Sequence, residues 1–324
     1  MGETGAVERR GLRTFTLFGR RRGGFRLVGR FGPRTRKAAV RSVFFAPALL
    51  FLMFLVLYPV LQTVYISFLS PTGAPTLGNY RAVLSDPETI NPNLSWPPPL
   101  GTLIHNALWA GIHLPISLLF GLWMALILRE VKGSSIVKSA IFLCMVTPMI
   151  VGGVILRFLF ETGPGIVPSF FEAIGVHSLA ISWLNYRETA LLGLIFGSVW
   201  LWTGFSLIVY SAGLTTIPQD YFEAAKIDGT PPFRMFFRIT LPLLRPMTLV
   251  IITMTLLWEL KIFDIVYAAA GPTGGTRGSV DVLSLQMFNY FVQGSYNLAA
   301  AVATLLTLLT LIATVFLFRR MVRS

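Results

Sequence analysis

The chain is predicted to be an all-α integral membrane protein of about six transmembrane helices, and three observations predict it. Of its 324 residues 54% are hydrophobic and only 13% are charged, with a mean hydropathy of +0.69, a balance foreign to ordinary soluble domains of this size. Six apolar runs are each long enough to cross a hydrocarbon core, which takes about 20 helical residues. The 27 Lys and Arg residues also fall unevenly around those runs. Gly, Pro and Ser within the runs fit packed helices, whereas barrel strands are shorter and alternate in polarity.

Residues 1–41 are expected to form a basic cytoplasmic arm with twelve Lys and Arg, including Arg20-Arg21-Arg22. Its glycines weaken any helix, so it reads as an orienting arm; Phe25, Leu27 and Val28 interleaved with the arginines also suit a headgroup surface. No removable signal peptide is expected, because the first apolar run begins late and is too long for one. The remainder, 42–324, reads as one transmembrane domain.

The spans are placed near 43–68, 102–128, 139–160, 189–213, 247–270 and 298–318. The segment Pro71 to Leu100, with Trp96-Pro97-Pro98-Pro99, is expected to be an irregular external loop. The second run carries His105 and His113, eight apart and so on a similar helical face, read as packing or pore-lining residues. The third carries the lone Cys144, which has no intrachain disulfide partner and reads as a small core residue. Glu161 to Arg187 and the glycine-rich Gly271 to Gly278 are further external loops, the latter followed by an amphipathic stretch, Val282 to Phe291.

Orientation follows from charge. The arm, the connection with Arg129, Lys132 and Lys138, the segment with Lys226, Arg234, Arg238 and Arg245, and the tail with Arg319, Arg320 and Arg323 hold 22 of the 27 basic residues. The positive-inside rule assigns that side, with both termini, to the cytoplasm. The net charge of +13 therefore reflects topology and contact with membrane lipid; no nucleic acid partner is expected. The chain has no GxxxxGK[ST] phosphate loop, no HExxH or other metal spacing, and no nucleophile with a matched base in its spans. It reads as neither an ATPase nor another enzyme, with no cofactor of its own.

One polar segment interrupts this apolar pattern: 214–246, containing EAAKIDGTPPFRMFFRITLPLLRP. Ala224, Ala225 and Lys226 favour helix, Asp228-Gly229 punctuates, Pro231-Pro232 suits a new helix start, and Pro242 is expected to end that helix before the chain re-enters the bilayer. The string resembles the EAA loop of ABC importer permeases at Glu223, Ala224, Ala225, Asp228, Gly229, Ile239, Leu241 and Pro242, with Ile217-Pro218 upstream. Leu260 to Gly275 is similar to the Phe-Asp-x-Ile-Tyr and glycine-rich region of sugar-type members, its glycine run displaced behind Gly271-Pro272. Ala46 to Phe68 and Leu77-Gly78-Asn79-Tyr80 resemble their first core span and the short motif after it.

The resemblance, to the maltose-transporter type of carbohydrate-uptake importer, implies the type I ABC importer permease fold with a cytoplasmic coupling hairpin. It implies a second, related permease subunit, two ATP-binding cassette subunits that use ATP and Mg, and an extracytoplasmic solute-binding protein, all at a prokaryotic cell membrane. The eight loop residues would dock on the ATPase. Positions equivalent to the sugar path would be Trp200, Trp202 and Phe205 on the span entering the loop, and Thr255, Trp258, Glu259 and Lys261 on the span leaving it. Aromatic faces with carboxylates and amides suit sugar C–H and hydroxyl groups. Lys261 and Asp264, three apart, could pair on one helix face, while Glu259 needs another neighbour. The alternatives are a permease for another polar solute such as glycerol phosphate, for which Arg157 and Lys261 are the candidate pore cations, or an ATP-independent secondary transporter.

Overall fold

The computed structural model describes residues 33–323, so the reading of the basic arm lies largely outside the described residues. The chain divides into two units. In the first, α1 (Pro33–Leu52) runs into a wider helical turn, Met53–Leu57. Large apolar side chains from Phe44 to Leu57 are exposed there, as a lipid-facing surface requires.

The second unit begins at Tyr58. It contains α2 (Tyr58–Ser67), α3 (Gly78–Ser85), α4 (Thr102–Ile127), α5 (Ser134–Val146), α6 (Met149–Leu159), α7 (Ile166–Ala173) and α8 (Arg187–Thr215). These are followed by α9 (Gln219–Ile227), α10 (Pro232–Met235), α11 (Leu241–Leu243), α12 (Arg245–Leu260), α13 (Asp264–Ala270), α14 (Leu283–Val292) and α15 (Tyr296–Arg323). Among the described residues four helices are long and apolar enough to cross a membrane, Phe44–Ser67, Thr102–Ile127, Arg187–Thr215 and Tyr296–Val322, and six spans result if each of two bent pairs counts as one.

The first bent pair corrects the expectation of a continuous helix, and the second moves the expected break. The run expected over 139–160 is two helices, α5 and α6, bent by 99°. Thr147 and Pro148 between them are extended, because the ring of Pro148 disfavours the helical conformation in the residue before it. The second bend, 62°, joins Pro232–Leu243 to α12. Pro242 lies inside α11 and does not end the hairpin's helix; the break falls at Leu244, and Pro246 sits in the first turn of α12, where its missing N–H costs nothing.

Helix α8 is the centre of this unit. After Arg187 and Glu188 its circumference is apolar or lightly polar with no charge, the signature of a helix enclosed on all sides, and 56% of its apolar window is buried against 28% for α4 and 22% for α15. Trp109, Leu156, Leu194, Ile195, Leu201 and Ile265 form one core around it, and Leu122, Leu207, Tyr210, Leu214, Phe222 and Leu244 form a second. A third core joins α3, α14 and α15 through Val83, Leu283, Ala301, Val302 and Leu306. Gly121 is where α4 approaches α8 most tightly. A Cβ there would lie 2.3 Å from Ser206 Cβ and 2.9 Å from the Leu207 backbone nitrogen, a small-residue contact of the kind that lets membrane helices meet.

The short Leu77-Gly78-Asn79-Tyr80 motif has a clear structural task. The Asn79 amide donates to the carbonyls of Ser67 (2.8 Å) and Leu69 (2.7 Å), and the Asn297 amide donates to Leu69 at 2.7 Å. Carbonyls left free at the end of α2 are thus satisfied from α3 and α15. At the start of α4, His105 Nε2 accepts from the Leu100 N–H at 3.0 Å, so Nδ1 carries the proton and donates to the Asp281 carbonyl at 2.7 Å. Gln286 is buried between Thr102 and Thr89, at 2.8 Å from each.

Two predictions follow from this packing. Gly121→Val should force α4 and α8 apart and destabilise the chain by about 1–3 kcal/mol or more, read as a lower melting temperature in detergent. Burial pushes the Asp281 carboxyl up to about 7, with Glu88 adding to the rise and the Val282 N–H opposing it. A raised value means that the folded state holds a proton the unfolded chain has released, so this contribution to stability is lost as pH climbs through about 7. Asp281→Asn keeps an acceptor for Val282 and should melt progressively higher than the parent chain between pH 5 and 8; a pH-independent difference would refute the assignment.

Candidate functional site

A stripe of polar residues runs down α4 at helical spacing: Thr102, His105, Asn106, His113 and Ser117, all buried. Its deepest contact is His113 Nδ1 to Glu259 Oε1 at 2.5 Å, with both side chains fully buried. This supplies the neighbour that Glu259 lacks on its own helix. No other acidic and basic side chains touch in this way among the described residues. The His113 ring meets the edge of Trp202 at 5.1 Å, and the Ser198 carbonyl of α8 faces the same imidazole. Glu259 Oε2 and Thr255 Oγ1, one turn away, are buried without partners.

One residue after Glu259, at Leu260, the helix stops. Lys261, Ile262 and Phe263 separate α12 from α13, which corrects the expectation of one span to residue 270. No proline or glycine causes this break. Instead, Asn106 Nδ2 reaches the carbonyls of Glu259 (3.3 Å) and Leu260 (3.5 Å), and the Ser284 hydroxyl bonds the Ile262 carbonyl. Side chains from α4 and α14 satisfy backbone groups that a continuing helix would have used. Lys261 and Asp264 form no ion pair with each other, since the break takes them off a common helix face.

A cavity of about 340 Å³ opens at the break, lined by Met145, Met149, Trp202, Trp258, Lys261 and Asp264 among others. It lies where two interrupted helices meet, the α5–α6 bend supplying the methionines. Interrupted spans at a cavity are how membrane proteins place irregular backbone beside a solute path. Of the residues expected along that path, the structure brings Trp202, Trp258 and Lys261 to the wall and sets Phe205 against Trp258 at 5.2 Å. Thr255 and Glu259 are buried away from the opening. Trp200, about 200° around α8 from Trp202, lines a separate apolar groove with Phe120, Phe196 and Cys144. Cys144 is accordingly half-exposed and not a core residue. Arg157 lines another cavity with Glu161 and Asn185.

On the other side, α9 carries Glu223, Ala224 and Ala225. Ala225 and Phe222 face the core, while Glu223 and Ala224 are exposed. Gly229 ends the helix with φ +67; the Gly229 N–H returns to Lys226 O at 3.0 Å and the Thr230 N–H to Ala225 O at 2.9 Å, a closure that requires the left-handed conformation glycine adopts freely. Ile239 and Leu241 are half-buried and Pro242 is exposed. Sequence reasoning missed Ile227 and Phe233, which stand 86% and 77% exposed on this segment. It also missed Asn106 and the partner of Glu259; the three-and-four spacing of polar residues in the second run was the available signal.

Broken spans around an aromatic cavity define a polytopic helical membrane protein. Residues 117–323 match the model of the family described as binding-protein-dependent transport system inner membrane component, and the chain belongs to that family. A probable ABC transporter permease of Pyrococcus horikoshii is 54% identical over 284 residues, covering 86% of this chain and 96% of that protein. The trehalose/maltose transport system permease of Thermococcus litoralis is 29% identical, covering 86% and 92%. The fold matches a chain of a bacterial ABC transporter that imports the acidic polysaccharide alginate, with a TM-score of 0.75 at 20% identity, covering 90% of this chain and 99% of that one.

Removing either member of the buried pair leaves the other's polar atom without its partner in a dry site, a cost of about 1–3 kcal/mol. His113→Ala and Glu259→Ala should each lower the melting temperature sharply, while the double change to leucine should recover much of the loss. A double variant no better than the singles would argue against direct coupling.

Proposed function

We propose that the chain is the membrane-spanning permease subunit of an ATP-driven importer for a sugar or oligosaccharide. The observation that carries this reading is the cavity at the broken spans. Trp202 and Trp258 offer aromatic faces to sugar C–H groups, and Lys261 with Asp264 offers a donor and an acceptor for hydroxyls. One charge of each sign favours a neutral polyhydroxylated solute over an anion such as glycerol phosphate, since Arg157 belongs elsewhere. Family membership and the trehalose/maltose relative support the same class of cargo.

Energy comes from outside the chain. The segment of α9 to α11 is the handle on which separate ATP-binding cassette subunits act, with Glu223, Ala224, Ala225, Asp228, Gly229, Ile239, Leu241 and Pro242 forming it. Exposed Tyr221, Ile227 and Phe233 beside Glu223 support docking there. The Gly229 closure keeps α9 short and stiff enough to transmit a push. Phe222 on α9 packs into the same core as Leu207 and Tyr210 of α8, so displacement of the handle reaches the central helix, and through Trp202 the cavity. A solute-binding protein would deliver cargo outside, a second permease subunit would complete the path, and both termini would lie in the cytoplasm.

The test is co-purification of the chain with its ATPase partners, followed by ATP turnover measured with sugars and a binding protein. Glu223→Lys and Gly229→Asp should abolish solute-stimulated turnover while the chain still inserts in the membrane. Gly229→Asn, which tolerates positive φ, should be milder than Gly229→Val. Uptake by vesicles holding only this chain, or normal coupling in the Glu223 variant, would overturn the reading.

A further inference from the structure

A second cavity, of about 290 Å³, lies where α4 and α8 end and α5 and α9 begin. Its polar lining is Arg129, Lys138, Ser211, Thr215 and Gln219. No carboxylate lines it; Glu130 and Asp220, the acidic neighbours in sequence, are not part of its wall. Neither Arg129 nor Lys138 forms an ion pair among the described residues. Ser211 Oγ is buried without a hydrogen-bond partner, whereas Thr215 already donates to the Ala212 carbonyl at 2.7 Å. Four donor groups therefore converge on one cavity: a guanidinium, an ammonium, a hydroxyl and an amide. Two positive charges there go uncompensated.

We propose that this cavity binds a phosphate group, the chemistry of an anionic phospholipid headgroup. Depth supports the lipid source. The site lies at the last turns of two spans, which end at Ile127 of α4 and Thr215 of α8, on the side rich in Lys and Arg, and basic pockets between spans at that level are suited to phosphate headgroups. Ala125 and Leu214 form its apolar floor, against which a glycerol arm can lie. Occupancy bears on the handle: the Arg129 guanidinium rests 4.8 Å above the Phe222 ring of α9, and Gln219 is the first residue of that helix. A phosphate held by both would brace α9 against the end of α4 and the start of α5. The inference rests on assigning this end to the cytoplasm, but on no particular solute.

The experiment places the assembled transporter in lipid nanodiscs and measures labelling of Lys138 by an amine-reactive reagent. Discs containing phosphatidylglycerol should protect Lys138 relative to discs of phosphatidylcholine alone. Inorganic phosphate added to phosphatidylcholine discs forms the second arm: protection by phosphate without protection by phosphatidylglycerol keeps the site and assigns it to the free ion. Arg129→Gln should weaken protection about fivefold, the worth of one cation near a headgroup surface, and Arg129→Lys should retain most of it. Should Arg129→Gln fail to assemble, Ser211→Ala serves with the same expected direction. Equal labelling in all discs, or full protection in the neutral variant, overturns the site. Labelling of Lys138 from the outer face of sealed vesicles instead overturns the orientation, a separate failure because both faces of a disc are open.

Discussion

The desolvated contact between His113 and Glu259 is the constraint on which the surrounding structure depends. Neither group is stable alone in a dry helical interior, so α4 and α12 must meet at one rotation and one height. That register puts Asn106 within reach of the last carbonyls of α12 and lets the helix stop at Leu260. The stop in turn turns Lys261 and Asp264 toward the cavity that Trp202 and Trp258 flank. A polar pair far from solvent thus fixes the geometry of an opening it does not itself line.

Local sequence features carried much of the fold. Apolar length located the spans, and the spacing from Glu223 to Pro242 marked the hairpin segment, because both signals are intrinsic to a short window of chain. The bend at Thr147-Pro148 was also written locally, in the restriction that proline imposes on its predecessor, although run length alone suggested a continuous span. The break after Leu260 was not legible. Its cause is tertiary: Asn106 and Ser284 come from helices distant in sequence, and hydropathy treats Ile262 and Phe263 as ordinary members of an apolar run.

The site shows the same division. The resemblance singled out Trp202, Trp258 and Lys261, but spacing along α8 also separates Trp200 from Trp202 by more than half a turn, and a set carried over by resemblance placed them together. Glu259 looked like a solute contact because an unpaired carboxylate in a span invites one; its partner sits 146 residues away in the chain. Exposed Ile227 and Phe233 escaped notice because an apolar residue in a polar segment reads as core until the fold shows which way it faces.

The right-angle elbow between α5 and α6 has a mechanical consequence. A straight rod in a bilayer can slide, tilt or spin as one piece, whereas a rod folded at 99° is barred from sliding, since its crosswise limb would have to plough through the neighbours packed against it. Rotation about the corner is the inexpensive motion left. Because Met145 and Met149 sit on either side of that corner, even a small swing there changes the width of the chamber they border, much as a crank converts a push on its handle into the opening of a valve.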